Sequence, residues 1–146
     1  MNQIQIRKIE EGDIQNGFLE TLNEFRESKE LTMERGIQLF KEIESNSHQM
    51  VYVAVFDEKV VGCATIILEQ KFIHNGGKVA HLEDLVVRKK YRGNGIAEDI
   101  IRNLLGLAEK EGCYKTLSDC TNKVFPFWQK IGFRNHENAT RYDHNV

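Results

Sequence analysis

The sequence predicts a mixed α/β (α+β) domain in which a mostly antiparallel central sheet is flanked by helices. Two patterns indicate this class: short runs rich in Val, Ile and Thr, typical of strands, and longer runs in which apolar residues recur every three or four positions, typical of helices. Along the 146 residues they follow the order β-α-α-β-β-β-α-β-α-β. We expect one domain over residues 1–146, because a single core suffices for this length.

The N-terminal third predicts one strand and two helices. Isoleucines alternate with polar residues over 4–9, and this first strand ends at residues 11–13. Asp13 is placed to cap a helix over 14–27, and Thr32 opens a second helix. The predicted apolar face of the first helix contains Ile14, Phe18, Leu22 and Phe25, and that of the second contains Ile37, Leu39, Phe40 and Ile43.

The rest of the chain predicts a hairpin followed by alternating strands and helices. The runs 50–56 and 60–68 read as strands joined tightly through Asp57-Glu58-Lys59. The remaining predicted elements are a loop over 71–78, a strand over 81–87, a helix from 96 to about 110 ended by Gly112, a strand over 114–120, a short helix over 125–131, and extended pieces from Phe133 and near Thr140.

Composition and charge exclude several classes of protein. The net charge is -2, so the chain lacks the basic excess of a nucleic-acid binder. No apolar run approaches the roughly 18 residues of a membrane span and no signal-peptide core is seen, so we expect a cytoplasmic protein with no membrane partner. Cys63, Cys113 and Cys120 lack C-x-x-C spacing and are expected to be reduced, mostly buried thiols; a catalytic cysteine is the less favoured alternative, and no metal site is predicted.

A glycine-rich loop, Arg92-Gly93-Asn94-Gly95-Ile96-Ala97, joins a predicted strand to a predicted helix. Glycines let the backbone turn its N–H groups toward one concavity, and the helix adds unpaired N–H groups and a positive dipole end, which together suit a diphosphate. An ordinary turn is the alternative. A dinucleotide fold would need glycine where Glu98 stands, and a phosphate-binding P-loop would need Gly-Lys-Ser/Thr.

The loop resembles the Gln/Arg-x-x-Gly-x-Gly/Ala motif of the GCN5-related N-acetyltransferase (GNAT) superfamily, and the element order matches that fold along nearly the whole chain. Within the superfamily, the stretches 6–13, 81–87 and 112–120 resemble the glucosamine 6-phosphate N-acetyltransferase branch. The second of these reads His-Leu-Glu-Asp-Leu-Val-Val, and the third begins Gly-Cys-Tyr-Lys. The resemblance implies an acetyl-CoA-dependent acyltransferase that acetylates the 2-amino group of D-glucosamine 6-phosphate, serves UDP-N-acetylglucosamine synthesis and forms a homodimer.

The resemblance also implies where acetyl-CoA binds. The amide-rich pantetheine arm pairs with an exposed strand edge, and a backbone N–H of Val86 or Leu85 donates to the oxyanion of the tetrahedral intermediate. The diphosphate lies on the glycine loop. The expected cofactor-binding residues are Leu85, Val86, Val87, Arg92, Gly93, Asn94, Gly95, Ile96, Ala97 and Glu98.

Carboxylates are the groups expected to hold the amine and accept its proton, because a hexosamine amine is partly protonated at neutral pH and must lose a proton before attack. Glu83, Asp84 and Asp119 are the candidates. An acid at the end of an apolar strand that faces a cleft favours Asp119. By resemblance, Asp119 orients or deprotonates the amine and Glu83 contacts the sugar. Asp84 stays open between substrate contact and an ion pair or cap.

The phosphate of the sugar calls for cations and hydrogen-bond donors. By resemblance, Lys71, His74, Tyr114 and Lys115 fall on the sugar-phosphate positions, and Arg141 is placed more loosely because the last segment aligns poorly. The alternative for single lysines is solubility, and for the histidine an ordinary loop position.

Two positions depart from the family pattern. Trp128 stands where relatives usually carry a tyrosine whose hydroxyl faces the departing thiolate. An indole N–H donates a hydrogen bond but does not ionise at physiological pH, so general-acid catalysis there is excluded; a core aromatic is the equal alternative. Arg26 stands where relatives often carry threonine. Its two interpretations are a contact of the arginine with the sugar phosphate across a dimer interface and an ordinary solvent-facing position on the helix.

Two further functions remain open at this point. The first is acetylation of another small amine or of a protein amino group within the same fold. The second is a non-catalytic acetyl-CoA-binding module, which the missing tyrosine brings into consideration.

Overall fold

The structure, a computed structural model, describes residues 3–25 and 31–146. Within these residues the strands are β1 (Gln5–Lys8), β2 (Gln49–Phe56), β3 (Lys59–Gln70), β4 (Lys78–Val87) and β5 (Cys113–Leu117). The helices are α1 (Phe18–Asn23), α2 (Met33–Glu44), the short α3 (Ile73–Gly76), α4 (Ile96–Lys110) and α5 (Phe125–Ile131), with 3-10 turns at Glu11–Ile14 and Lys89–Tyr91. None of the helices in this part of the chain is long and apolar enough to cross a bilayer.

The strands form one sheet in the order β1-β2-β3-β4-β5, antiparallel throughout except for the parallel pair β4–β5. This confirms the predicted fold class. The predicted hairpin is present: Phe56 pairs with Lys59, and the two turn residues Asp57 and Glu58 have φ of 48° and 62°. Positive φ at both central residues is the conformation that matches the twist of a two-residue hairpin.

Each face of the sheet has its own core. Helix α4 packs on one face through buried residues that include Ile100, Ile101 and Leu104. Helices α1 and α2 cover part of the other face, where Val53 and Cys63 lie. The helix predicted over 96–110 is confirmed, and so is Thr32 as the cap of α2, whose hydroxyl accepts the N–H of Arg35 at 3.1 Å.

The predicted first helix is wrong at its beginning. Instead of running from residue 14, the chain makes a 3-10 turn and starts α1 only after Gly17, which has φ of +100°. A Cβ at this glycine would lie 2.7 Å from the carbonyl oxygen of Val60, so the turn depends on glycine. Asp13 does not cap α1, because its carboxylate accepts the N–H of Glu10 at 2.8 Å and binds Arg7. Residues 26 and 27 of the predicted helix lie outside the described residues.

The C-terminal part differs from the expectation in two ways. Strand β5 ends at Leu117 rather than at residue 120, and residues 133–146 contain no strand, although extended pieces are predicted there. These last residues are mostly polar and exposed, and they pair with no strand edge in the described part of the chain. Without a partner strand, backbone N–H and C=O groups stay with water instead of forming a ladder.

The cysteines are free, as expected, but only one is buried. Burial raises the pKa of the Cys63 thiol to about 12. Cys113 is half-buried and Cys120 is exposed, so the expectation of a buried thiol is wrong for Cys120. The reason is the early end of β5, which leaves residue 120 in a surface loop.

Candidate active site

Strands β4 and β5 run together and then part. Their parallel pairing ends at His81 and Leu117, while β4 continues to Val87. The hydroxyl of Ser118 donates to the carbonyl of Leu82 at 3.2 Å just past this point. Beyond it, the edge of β4 that faced β5 has no ladder partner in the described part of the chain. This open edge includes Leu85, Val86 and Val87, the three residues predicted to pair with the pantetheine arm.

A β-bulge lies at the start of the open edge. Cys63 of β3 pairs with Val86 and Thr65 pairs with Glu83, so Asp84 and Leu85 both lie opposite a single residue of β3. Asp84 has φ of 51°, a conformation that a bulge imposes on a non-glycine residue. The bulge turns the backbone away from β3 beside the expected acetyl position.

Asp84, at this bulge, stays exposed. With Cys63 and Thr65 it borders a largely apolar cavity of about 220 Å³ under α1 and α2. No ion pair or side-chain hydrogen bond of the described residues includes Asp84, so an arginine partner for it finds no support.

The glycine loop has the geometry of an anion site. Gly93 and Gly95 have φ of 80° and 79°, and a Cβ at either would meet no atom within 4 Å. Gly95 precedes α4, and the first intrahelical bond runs from Asp99 N–H to its carbonyl at 3.0 Å. The N–H groups of Ile96, Ala97 and Glu98 are therefore left without intrahelical partners at the positive end of the helix. An open concavity lined by backbone donors results.

Two side chains of the loop support its shape. The Nε of Arg92 donates to the carbonyl of Val87 at 2.8 Å, which ties the loop to the last residue of β4. The amide of Asn94 donates to the carbonyls of Tyr91 and Arg92 at 3.1 and 3.3 Å. The predicted diphosphate loop and the predicted pantetheine edge are thus physically joined.

The carboxylate of Glu98 does not compete with an anion on the loop. It pairs with Arg102 at 2.7 Å and with Lys130 at 3.8 Å, and the Arg102 hydrogen bond is the main reason that its pKa lies below its usual value. The predicted contribution of Glu98 to cofactor binding is therefore its backbone N–H.

Carboxylates meet where β4 and β5 part. Although Glu83 is exposed by surface area, partial burial of its carboxylate raises its pKa, the charges of Asp119 and Asp84 raise it further, and His81 acts in the opposite direction. Asp119 lies in the exposed loop after β5 instead of on the strand, so the strand-end argument that favoured it is wrong in that detail. Asp119 is nevertheless close enough to Glu83 for its charge to affect that carboxylate.

Most of the candidate sugar-phosphate residues lie in or beside one cluster. His74 stacks on Tyr114 with ring centroids 4.0 Å apart, and the Nζ of Lys115 lies 5.7 Å from the same ring. Gly77 permits this contact, because a Cβ there would lie 2.7 Å from the tyrosine ring. The backbone N–H of Lys71 donates to the carbonyl of Gly77 at 2.8 Å, beside this cluster, but its ammonium pairs with Glu69 at 2.9 Å.

Arg141 is not brought to this cluster. It lies in the C-terminal tail and pairs with Asp143 at 2.7 Å. Arg26 lies outside the described residues.

Trp128 occupies a core position. Its side chain is 6% exposed and makes edge contacts with Phe127 and Phe133, with centroids 5.8 and 4.9 Å apart. These contacts support the core-aromatic alternative, and a hydrogen bond from its indole to a thiolate stays a prediction.

Sequence reasoning missed a connection between α1 and the cofactor loop. The carboxylate of Glu24 accepts the N–H of Lys89 at 2.6 Å and lies 3.5 Å from Arg88, which also pairs with Glu20. These partners are more than 60 positions apart in sequence, so no local pattern signals them. The connection fixes the chain where it leaves β4 for the glycine loop.

The parted strands, the bulge and the glycine loop define a class of protein. The chain belongs to the acetyltransferase (GNAT) family, whose family model matches residues 16–133. It is similar to the glucosamine 6-phosphate N-acetyltransferase of Trypanosoma brucei brucei, with 33% identity over 144 residues that cover 96% of this chain and 95% of the relative. Glucosamine 6-phosphate N-acetyltransferase 1 of Oryza sativa subsp. japonica is 36% identical over 132 residues, covering 88% and 80%.

A solved structure agrees in fold. The crystal structure of glucosamine-6-phosphate N-acetyltransferase from Arabidopsis thaliana superposes with a TM-score of 0.93 at 28% identity, covering 98% of this chain and 99% of that one. The expected membership of the GNAT superfamily is confirmed.

Proposed function

We propose that this chain transfers the acetyl group of acetyl-CoA to the 2-amino group of D-glucosamine 6-phosphate, giving N-acetylglucosamine 6-phosphate and CoA. The observation that carries the proposal is the junction of an open β4 edge, a glycine loop with free backbone donors, and Glu83, on whose carboxylate the charge of Asp119 acts. The product serves UDP-N-acetylglucosamine synthesis, and we place the reaction in the cytoplasm.

Acetyl-CoA binds along the junction of strand and loop. Its diphosphate accepts hydrogen bonds from the backbone of residues 93–98, and its pantetheine amides pair with residues 85–87. The bulge at Asp84 directs a backbone N–H of Leu85 or Val86 toward the thioester oxygen. A donor fixed before reaction stabilises the developing oxyanion without reorganisation.

The amine attacks the thioester carbonyl after losing its extra proton. Asp119 holds the ammonium and accepts that proton, while Glu83 contacts the sugar. The C–N bond forms, the nitrogen gives up a second proton to water, the C–S bond breaks, and the thiolate leaves as an anion that takes a proton from water. Trp128 has no ionisable proton to give, so it acts at most as a hydrogen-bond donor.

A homodimer forms part of the proposal. His74 stacks on Tyr114 near the first residues of β4 and β5, about 15 Å along the sheet from Glu83 at the rise of a strand. That separation exceeds the span between the amine and the phosphate of one hexosamine 6-phosphate, so a second copy is the natural source of these phosphate-binding residues.

The surface of the single chain also supports a second copy. The outer edge of β5 has no partner strand among residues 3–25 and 31–146, and an unpaired edge is a template for association. Phe72 and Ile73 project from the segment before β4, the first fully exposed and the second 63% exposed. Analytical ultracentrifugation measures the oligomeric state directly, and a monomer at micromolar concentration would remove this part of the proposal.

A thiol-release assay with acetyl-CoA tests the reaction. We expect release with glucosamine 6-phosphate and far less with glucosamine or a basic peptide, because only the first carries the phosphate. Equal release with the peptide would favour the alternative of a protein acetyltransferase. Cofactor binding without release on any amine would favour the alternative of a non-catalytic binding module.

A further inference from the structure

One face of the sheet carries a histidine, close to Glu83, that the proposed mechanism does not use. His81 and Glu83 are two residues apart on β4 and therefore point to the same side. Their partners on β3 are Ile67 and Thr65, the latter two residues from Cys63, which places both charged groups on the face that α1 and α2 cover only in part. His81 stays half-buried and Glu83 exposed.

The imidazole of His81 is held by a neighbouring strand. Its Nε2 lies 2.9 Å from Oε1 of Glu69, and Oε2 of the same carboxylate lies 2.9 Å from Nζ of Lys71. The hydrogen bond from Lys71 is the main cause, and that from His81 the second, of the lowered pKa of Glu69. Both carboxylate oxygens of Glu69 are thus engaged, one by the ring of His81 and the other by the ammonium of Lys71.

We propose that the Glu69–His81 pair is a positioning element of the sugar site, which holds an imidazole beside Glu83 and opposes the repulsion that Asp84 and Asp119 exert on that carboxylate. The inference rests on the proposed function, because it assigns a role to a residue that contacts the sugar there. Neither residue belongs to the sites predicted from the sequence.

The charges around Glu83 show why such an element is needed. Partial burial disfavours its ionised form most, followed by the charges of Asp119 in the loop after β5 and of Asp84 on β4. His81 is the one group of opposite effect among those that act on it in the described part of the chain. The charged groups that face His81 are Glu69 from β3, with Lys71 beyond it, and Glu83 itself. A sugar hydroxyl that donates to Glu83 forms a stronger hydrogen bond with the ionised carboxylate than with the protonated acid, so sugar binding favours the ionised form.

The size of the effect follows from strand geometry. Residues two apart on a strand are about 7 Å apart, and a unit charge at that distance in a watery setting changes a pKa by about half a unit. In His81→Gln we therefore expect the acid limb of kcat/KM for glucosamine 6-phosphate to move up by about half a pH unit. At pH values below the acid limb, kcat/KM should therefore be about threefold lower in His81→Gln than in the wild type.

A small set of variants tests the inference. His81→Lys keeps a cation and should restore the wild-type acid limb, whereas His48→Gln, an exposed histidine before β2, is the matched control and should leave the profile unchanged. Glu69→Gln should move the limb in the same direction as His81→Gln. The double variant should add nothing further, because Glu69 acts through His81. The inference would be overturned if the acid limb of kcat/KM stayed in place in His81→Gln. It would also be overturned if the effects of His81→Gln and Glu69→Gln were additive.

A second readout does not need activity. The carboxyl carbon resonance of Glu83 in labelled protein, assigned by its loss in Glu83→Gln, reports its titration directly. We expect its midpoint about half a pH unit higher in His81→Gln than in the wild type. If the protein acetylates no amino sugar but the midpoint moves, the proposed function fails while the charge relation between His81 and Glu83 holds. An unmoved midpoint removes the inference whatever the activity.

Discussion

Arg7 and Asp13 form a bidentate ion pair, with Nη1 2.7 Å from Oδ2 and Nη2 2.9 Å from Oδ1. The same carboxylate accepts the N–H of Glu10, so it joins β1 to the 3-10 turn that follows. The side chain of Asp13 is 6% exposed and that of Arg7 is 24% exposed. Planar two-bond geometry with little solvent is the arrangement in which an ion pair stabilises most.

We therefore expect Asp13→Asn to lower the free energy of unfolding by about 2 kcal/mol, less than for a fully buried pair because Arg7 is partly solvated. Urea denaturation followed by circular dichroism measures it. Glu10→Gln is the control: its carboxylate is exposed and 4.0 Å from Arg7, so the change should stay within about 0.5 kcal/mol. A loss in the control equal to that in Asp13→Asn would show that the local helical turn, not the ion pair, is what matters.

The three thiols should react at different rates. Because burial raises the pKa of Cys63 to about 12, this residue stays protonated and shielded at neutral pH, whereas Cys120 is exposed. Burial also raises the pKa of the half-buried Cys113, so we expect it to react between the other two. Timed alkylation of the native protein at pH 8, followed by peptide mass spectrometry, gives the order. Modification of Cys63 before Cys120 without unfolding would contradict the burial of the α1/α2 core.

The sequence predicts the local elements better than their ends. Helix α4 and the hairpin follow from strong periodicity and turn chemistry, so the structure confirms them. The start of α1 depends on the approach of Gly17 to Val60, a contact over more than 40 positions that no local pattern contains. The predicted final strand is missing for a related reason. A strand needs the edge of a partner strand, and the periodicity of a sequence does not show whether such an edge is available.

In the candidate site, too, some features are predictable from the sequence and others are not. The glycine loop is a contiguous motif whose backbone geometry is largely local, and the structure has the open turn and the helix start that the motif predicts. His81 stands two residues before Glu83 in a stretch that the sequence singles out, yet its importance depends on Glu69 of the adjacent strand. Register between strands supplies that partner, and a single sequence does not reveal it.

The backbone of the glycine loop gives a direct test of cofactor binding. We expect Gly95→Val to raise the Kd for acetyl-CoA at least tenfold, because φ of +79° costs a β-branched residue more than about 1 kcal/mol and its side chain enters the concavity. Isothermal titration calorimetry measures the Kd. Gly106→Ala, in the middle of α4 with free space around it, is the control and should bind normally. Normal affinity in Gly95→Val would remove the loop from the cofactor site.

A substitution at Asp119 should slow the chemical step and leave cofactor binding unchanged. In Asp119→Ala the amine loses the group that accepts its proton, and general-base catalysis is typically worth about 10²- to 10⁴-fold, so kcat should fall within that range. The Kd for acetyl-CoA should stay the same, because the loop and the β4 edge that hold the cofactor are untouched. Asp143→Ala, which removes an exposed carboxylate of the tail that pairs only with Arg141 among the described residues, controls for the general loss of negative charge.

Steady-state rates over pH 6 to 9 add a second criterion. If Asp119 is the base, Asp119→Ala recovers part of its lost rate at high pH, where the free amine needs no acceptor. An unchanged kcat would exclude Asp119 from the mechanism and leave Glu83 as the acid nearest the amine.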